Sequence, residues 1–120
     1  MDRVGIIGSR RFKLKGSIKS LVKSLPKTST VVSGGCKGVD TWAESAAKDR
    51  GLDTLIFLPL LPPKGSPRYE FTKAYYARNK LIVENSDIIH AFVSIDRIGG
   101  TENTIKHAKK LNIPVVIHYQ

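Results

Sequence analysis

The stretch VVSGGCKGVD, residues 31–40, decides how this chain folds. Two valines end a short apolar strand, a glycine-rich turn follows, and an amphipathic helix, TWAESAAKDRG, comes out of the turn. Glycines let the backbone approach a ligand closely, and the first N–H groups of a helix lack partners inside it. Such a turn suits an anion, most often a phosphate, although glycines also serve tight packing turns. The candidate binding residues here are Ser33, Gly34, Gly35, Lys37, Gly38 and Asp40.

Length and composition indicate one ordinary globular domain over residues 1–120. The chain has 120 residues, of which 41% are hydrophobic and 25% are charged. It has no run of about 18 apolar residues, so we expect no membrane-spanning helix. The N-terminus does not resemble a signal peptide, and the single cysteine allows no internal disulfide. We therefore expect a cytoplasmic protein without membrane contact.

The charge is strongly positive, with 20 lysines and arginines against 10 acidic residues and a net charge of +10. A basic surface attracts polyanions such as nucleic acid, nucleotides or acidic lipid. The alternative is that these side chains are simply solvated, because the lysines of the first predicted helix are not interleaved with aromatic residues. Nothing in the sequence indicates sequence-specific recognition.

Strand and helix patterns alternate along the whole chain. Short apolar runs rich in β-branched residues predict five strands, at residues 3–8, 30–33, 53–59, 88–94 and 114–118. Helical spacing predicts four helices. The first runs from the N-cap Ser17 to Pro26, and the second follows the glycine-rich turn and ends at Gly51. The third runs from about residue 70 to 85, and the fourth from Gly99 to near Leu111. Prolines between residues 59 and 67 predict an irregular loop after the third strand.

This order predicts an α/β fold: a doubly wound, parallel, five-stranded sheet in a Rossmann-like three-layer α/β/α arrangement. The apolar runs VGII, TLIFL and PVVI suit strands that are covered on both faces. In such sheets ligands bind outside the carboxyl ends of the strands, at the topological switch point. Three glycine turns follow strands and should meet at that edge. One of them is the turn at residues 33–40. The turn after the first strand contains Gly8, Ser9 and Arg10, and the turn after the fourth strand contains Gly99, Gly100 and Thr101.

Arg78 is a further candidate, in the third predicted helix. Apolar residues surround it at helical spacing: Phe71, Ala74, Tyr75, Leu81 and Ile82. An arginine on an apolar stripe is unusual unless it is paired. It indicates either a clamp for a phosphate or carboxylate, or a core ion pair or snorkelling side chain. The neighbouring Asn79 could bind the ligand or cap a turn.

The remaining reactive residues support little chemistry. Cys36 lies beside Lys37 near a helix N-terminus, which favours a thiolate, but a small residue in a tight turn explains it equally. His90, His107 and His118 show no spacing typical of metal ligands, so we expect neither a metal nor a cofactor.

Four segments together resemble one superfamily: VGIIGSRRF, SGGCKGVDTWAESAA, Arg78-Asn79 ahead of LIVENSDIIHAFV, and GGTENTIKHAKKLNIPVVI. They resemble the SLOG superfamily, which unites the Smf/DprA DNA-processing proteins with the LOG-type nucleotide hydrolases. SGGCKGVD is similar to the Smf/DprA segment SG-x-A-x-G-x-D, whereas GSRRF and GGT are closer to small stand-alone members. The resemblance implies a Rossmann-like fold that binds a nucleotide or nucleotide-derived ligand, often as a homodimer.

The resemblance also implies a test of enzyme function. LOG hydrolases cleave the N-glycosidic bond of nucleoside monophosphates with an arginine, matched here by Arg78, and a glutamate in a GG-x-GT-x-x-E turn. This chain has GGTENT, which places Asn103 at the glutamate position and Glu102 one residue away. Such hydrolysis needs a carboxylate. Arg78 and Glu102 are therefore the only candidate catalytic pair, in an incomplete site.

Three functions follow from these expectations. The first is a non-catalytic nucleotide binder or sensor, the second a nucleoside-monophosphate phosphoribohydrolase, and the third a DprA-like binder of single-stranded DNA. The charge favours the third, because neutralised phosphates release counterions. The lack of stacking aromatic residues near the glycine turns, where only Phe12 adjoins the first, speaks against it.

Overall fold

The computed structural model describes residues 2–120 and contains five strands and four helices in strict alternation. The elements are β1 (Arg3–Gly8), α1 (Lys15–Ser24), β2 (Thr30–Ser33), α2 (Val39–Arg50), β3 (Asp53–Ile56), α3 (Arg68–Glu84), β4 (Ile88–Phe92), α4 (Gly100–Lys110) and β5 (Val115–His118). This order confirms the predicted α/β class.

The five strands form one parallel sheet in the order β3-β2-β1-β4-β5. The chain first builds outward from β1 to β3, then crosses to the other side of β1 and builds outward again through β4 and β5. The direction of winding therefore reverses between β1 and β4. This reversal is the topological switch point at which open α/β sheets bind ligands.

Helices cover both faces of the sheet. Ile6 of β1 packs with Ile18 of α1 and Val39 of α2 in one core cluster. Ile7, which points to the opposite face, packs with Ile82 of α3 and Ile105 of α4 in the other. The alternation along β1 thus places successive residues in two separate cores, which confirms the predicted three-layer arrangement.

The outer strands are less covered than their apolar sequences predict. Leu55 of β3 is 36% exposed and Val116 of β5 is 40% exposed. Helix α2 contacts β1, β2 and β3, whereas α4 contacts β4 and β5 on the other face. Each helix pair therefore does not reach the outer strand of the opposite half of the sheet, so one face of each outer strand stays open. On the open face of β5, His118 stacks on Phe92, and its Nε2 lies 2.9 Å from Nδ1 of His90.

Several predicted boundaries differ from the structure; β4, for example, ends at Phe92 rather than at residue 94. β3 ends at Ile56 rather than at residue 59, because its partner β2 ends at Ser33, which pairs with Ile56. Helix α1 begins at Lys15, ahead of the predicted N-cap Ser17. The N–H of Ser17 donates to the carbonyl of Leu14, so Ser17 already belongs to the first turn.

Helix α3 differs more from the prediction. Its buried residues are Arg78, Asn79, Ile82 and Val83, whereas Tyr75 of the predicted apolar stripe is 38% exposed. Arg78 contacts Gly34, which directly follows the end of β2. Residues 68–77 therefore extend past the carboxyl edge of the sheet, by about 15 Å at the rise of an α-helix. We call these residues the α3 arm; they lack a sheet to cover, which explains their exposure.

Candidate functional site

The three predicted glycine turns meet at the carboxyl edge of the sheet. The N–H of Ser9 donates to the carbonyl of Phe92 at 3.0 Å, which joins the turn after β1 to the end of β4. A Cβ on Gly38 would lie 3.9 Å from the Cα of Arg10, so the turn after β2 approaches the turn after β1. The Asn79 amide donates to the carbonyl of Gly100 at 3.4 Å and reaches the third turn.

Asp40 holds the turn after β2 in place. One carboxylate oxygen accepts hydrogen bonds from the N–H groups of Gly34 at 3.2 Å and Cys36 at 3.3 Å. Burial raises the pKa of Asp40 from 3.8 to about 6, although these N–H donors and the charge of Arg78 act in the opposite direction. Asp40 is thus mainly ionised at neutral pH, inside the protein, and needs the nearby positive charge.

Arg78 supplies that charge from α3. It is only 6% exposed, and each of its three side-chain nitrogens donates to an acceptor within the protein. Nη1 donates to the carbonyl of Gly34 at 2.7 Å, Nη2 to Sγ of Cys36 at 3.3 Å, and Nε to Oδ1 of Asn79 at 3.0 Å. The predicted clamp residue therefore ties α3 to the turn after β2.

Gly34 allows the two charged side chains to approach. A Cβ at this position would lie 2.6 Å from Nη1 of Arg78 and 3.0 Å from Oδ2 of Asp40. Any side chain would separate Arg78 from the turn, so glycine here is a requirement of packing. Gly35 and Gly38 have φ values of +72° and +90°, which glycine adopts without strain.

The polar network continues to α4 through asparagines. Nδ2 of Asn79 lies 3.2 Å from Oδ1 of Asn103, to which it donates. Asn103 occupies the position that carries a glutamate in the hydrolase motif, so an amide stands beside Asn79 where those enzymes have a carboxylate. We call Asp40, Arg78, Asn79, Asn103 and Gly34 the closed network.

Glu102 is engaged elsewhere. Both of its carboxylate oxygens accept hydrogen bonds from the guanidinium of Arg97, at 2.8 and 2.9 Å. The ring of Tyr119 lies under the same guanidinium, 5.8 Å from its Cζ. The candidate catalytic pair of Arg78 and Glu102 is thus divided, because each residue is bound to a different partner.

A second ion pair fixes the loops on either side of the switch point. The guanidinium of Arg11, after β1, makes two hydrogen bonds with the carboxylate of Asp96, after β4, one of them 2.9 Å long. The hydrogen bond from Arg11 is the main cause that lowers the pKa of Asp96. The sequence reasoning singled out Arg10, but its neighbour Arg11 makes this contact. Asp96, an acidic residue just after the fourth strand, is the feature of the sequence that indicates an arginine partner here.

Exposed groups stand around the closed network. Arg10 and Lys37 are exposed on the turns after β1 and β2. Tyr75, on the α3 arm, has its ring 5.8 Å from Cζ of Arg78 and is 38% exposed. It therefore lies beside the turn at Gly34 and presents an aromatic surface to solvent. We call Arg10, Lys37 and Tyr75 the open rim.

Tyr75 is the aromatic residue that sequence reasoning missed. The apolar spacing predicts Tyr75 in a buried stripe, although its position three residues before Arg78 puts both on the same helix face. Phe12, the aromatic residue expected near the first turn, is instead buried against Phe92 and cannot stack on a ligand.

The described chain, residues 2–120, shows no cluster of three or more His, Cys, Asp or Glu side chains that could hold a metal ion. Over the same residues, no helix has the length and apolar character to cross a bilayer. In this part of the chain four of the twenty lysines and arginines form ion pairs, so most of the positive charge is not neutralised by an acidic neighbour.

Comparison with known proteins identifies one family and several similar structures, of which two are described. The model of the family described as DNA recombination-mediator protein A matches residues 1–70. DNA processing protein A (DprA) from Streptococcus pneumoniae has a TM-score of 0.77 at 21% identity, and the match covers 98% of this chain and 50% of that one. The C-terminal domain of a hydrogenase from Pyrococcus furiosus has a TM-score of 0.54 at 10% identity, over 97% of this chain and 90% of that one.

No curated protein matches the chain. At these identities the two structures show the fold alone. The chain spans about half the length of the streptococcal protein.

Proposed function

Because this chain belongs to the DNA recombination-mediator protein A family, within the SLOG superfamily, we propose that it binds single-stranded nucleic acid. The proposed site is the carboxyl edge of the sheet, at the open rim, and the binding is non-catalytic and tolerant of sequence. The observation that carries the proposal is the exposed ring of Tyr75 next to the cationic glycine turns.

The charge distribution supports this proposal. Proteins that bind single strands combine a positively charged surface, which follows the phosphates, with aromatic side chains on which bases stack. Arg10 and Lys37 supply the charge, and the N–H groups of the glycine turns that do not bind Asp40 are suited to phosphate oxygens. Tyr75 supplies the stacking surface, held in place by the arginine below it. An unpaired base would stack on Tyr75 while its flanking phosphates lie against the turns.

A free nucleotide is the second candidate ligand for the same edge. The turn that opens α4 supports it, because Gly99 has a φ of +119° and no side chain caps the helix start. A nucleoside monophosphate would place its phosphate at Gly99–Thr101 or at the turn after β2. The residues proposed to contact either ligand are Gly8, Ser9, Arg10, Gly35, Lys37, Gly38, Gly99, Gly100 and Thr101, with Asp40, Arg78 and Asn79 as their support. Ser33 and Gly34, which the sequence also indicated as binding residues, are buried and belong to this support.

The hydrolase alternative has less support. Cleavage of an N-glycosidic bond needs a carboxylate near the sugar. Glu102 is paired with Arg97, and Asn103 supplies an amide at the motif position. We expect no base release from AMP, GMP or CMP, measured by chromatography. Release that Glu102→Ala abolishes would make this chain a phosphoribohydrolase instead. A homodimer and a cytoplasmic location stay predictions.

The proposed function is tested by fluorescence anisotropy with a labelled oligothymidylate. Affinity should fall steeply as the salt concentration rises from about 50 to about 200 mM. Lys37→Ala should weaken binding several-fold at low salt. Lys109→Ala is the control, because it removes the same charge from the far end of α4, at the opposite edge of the sheet.

Equal losses from the two lysine variants would reduce the binding to a general effect of net charge and contradict the assigned site. Competition by AMP at concentrations that displace the oligonucleotide from the wild-type protein would favour the nucleotide as ligand. Crystals soaked in AMP should then show its phosphate at the glycine turns.

A further inference from the structure

A groove lies between α1 and α2, on the side of the sheet opposite to α3. Its volume is about 650 Å³, which is within the range of ligand-binding clefts. Both helices begin at the carboxyl edge and run in the same direction, so the groove follows their length from Lys15 and Thr41 to Lys23 and Arg50. None of these residues belongs to the open rim.

The groove has an apolar floor and a cationic border. Val22, Trp42 and Ala46 form the floor, and Trp42 also packs against the core beneath it. The charged border consists of Lys15, Lys19, Lys23 and Arg50, with Asp49 as the acidic member. The three lysines repeat every four residues, which places them on one face of α1.

Arg50 gives the border a fixed positive charge. Its Nη1 donates to the carbonyl of Val22 at 3.0 Å and also to the carbonyl of Leu25. These two carbonyls belong to the C-terminal end of α1, where the helix dipole favours a cation. The charge of Arg50 therefore stays at one end of the groove, while the lysines are exposed and can move towards a ligand.

We propose that this groove binds an acidic amphipathic helix of a partner protein. An apolar floor between cationic borders complements a helix with one apolar stripe and flanking carboxylates, the mode in which helices occupy hydrophobic grooves. The ammonium group of Lys15 lies 6.0 Å from the centre of the indole ring. Trp42 is the single aromatic residue in the lining of the groove, whereas grooves for single strands stack successive bases on several aromatic side chains. The apolar floor therefore favours the helix over a single strand.

Trp42 makes the test direct, because it is the only tryptophan in the chain. The probe is a synthetic peptide of about four helical turns, with leucines at helical spacing between glutamates. A second peptide has the same composition with the leucines distributed around the helix, and an oligothymidylate is the third probe. We expect the first peptide alone to shift the emission of Trp42 to shorter wavelength, as its leucines displace water.

Two charge reversals locate the site. Lys19→Glu should weaken binding of the first peptide about tenfold, because it replaces an attraction by a repulsion at the border. Lys106→Glu makes the same change of charge on α4 and should alter the affinity less than about twofold. Circular dichroism checks that both variants fold, and chemical-shift mapping on the wild-type protein locates the peptide without any variant.

Equal binding of the two peptides, equal losses from the two variants, or shifts confined to other surfaces would overturn the proposal. A stronger change of Trp42 emission with oligothymidylate, removed by Lys19→Glu, would also overturn it and assign the groove to nucleic acid. The open rim is untouched by these variants, so failure here leaves the oligonucleotide experiments at Tyr75 and Lys37 to be decided separately.

Discussion

The closed network and the open rim are adjacent, yet they differ in how their hydrogen-bonding groups are satisfied. In the closed network, Arg78 donates from all three nitrogens to protein acceptors, and Asp40 accepts from two backbone N–H groups. In the open rim, Arg10 and Lys37 are exposed, and Tyr75 offers part of its ring to solvent.

This difference separates two roles that look alike in sequence. A polar group that is already satisfied inside the protein has little to gain from a ligand, and its removal leaves a buried partner without compensation. An exposed cation or aromatic ring contributes little to folding but gains on contact with a phosphate or base. Substitutions in the closed network should therefore change stability, and those in the open rim should change binding.

The largest effect is expected at Arg78. Arg78→Met keeps the aliphatic chain but leaves the buried Asp40 carboxylate without a nearby positive charge. We expect the free energy of unfolding at pH 7 to fall by about 3–5 kcal/mol, measured by urea denaturation. Arg10→Met removes the same charge from the open rim and should change the free energy of unfolding by less than about 0.5 kcal/mol. Equal effects would erase the distinction between the two regions.

The pH dependence of stability should come from Asp40. Its pKa is about 6 in the folded protein, above the ordinary value of 3.8, so between these pH values the folded state holds a proton that the unfolded chain has lost. The free energy of unfolding therefore falls as pH rises from about 4 to about 6, by as much as about 3 kcal/mol.

The control for this prediction is Asp40→Asn, measured over the same pH range. Burial lowers the pKa of His90 and His118, which makes stability rise with pH in both proteins. Their contribution cancels in the difference between wild type and variant. A difference that is constant from pH 4 to pH 7 would show that Asp40 does not titrate in this interval.

Gly34→Ala should have the next largest effect. Its Cβ would lie 2.6 Å from Nη1 of Arg78, so the guanidinium or the turn has to move. We expect a loss of about 1–3 kcal/mol in the free energy of unfolding, typical of overpacking. Gly16→Ala is the control, because a Cβ there meets nothing within 4 Å and α1 gains a better helix former. A loss at Gly16 as large as that at Gly34 would contradict this packing argument.

Much of the fold could be predicted from the sequence. The alternating apolar runs gave the element order, and the parallel topology then placed the glycine turns at one edge, as the structure confirms. The overhang of α3 could not be predicted in this way. A helix that passes the end of its sheet keeps its apolar spacing, so Tyr75 looks like a core residue until the position of Arg78 against Gly34 is known.

The ion-pair partners of the charged residues also could not be predicted from the sequence. Glu102 pairs with Arg97, and Arg11 pairs with Asp96, through contacts that depend on how the loops after β1 and β4 bend. Helical periodicity does not describe loops, and short-range spacing cannot choose among several nearby arginines. The order of the strands therefore predicts where the site lies. It does not predict which residues hold the turns in place and which are free to contact a ligand.

The most direct test of single-strand binding at the open rim compares Tyr75→Ala with Tyr76→Ala. The two tyrosines are neighbours on the α3 arm with similar exposure, 38% and 44%, but successive residues of a helix point in directions about 100° apart. Only Tyr75 lies next to Arg78 and the turn at Gly34. The affinity of each variant for a labelled oligothymidylate is measured by fluorescence anisotropy at low salt. Our account predicts a loss of about tenfold for Tyr75→Ala, the contribution of one stacked base, and less than about twofold for Tyr76→Ala. Equal affinities of the two variants would contradict it.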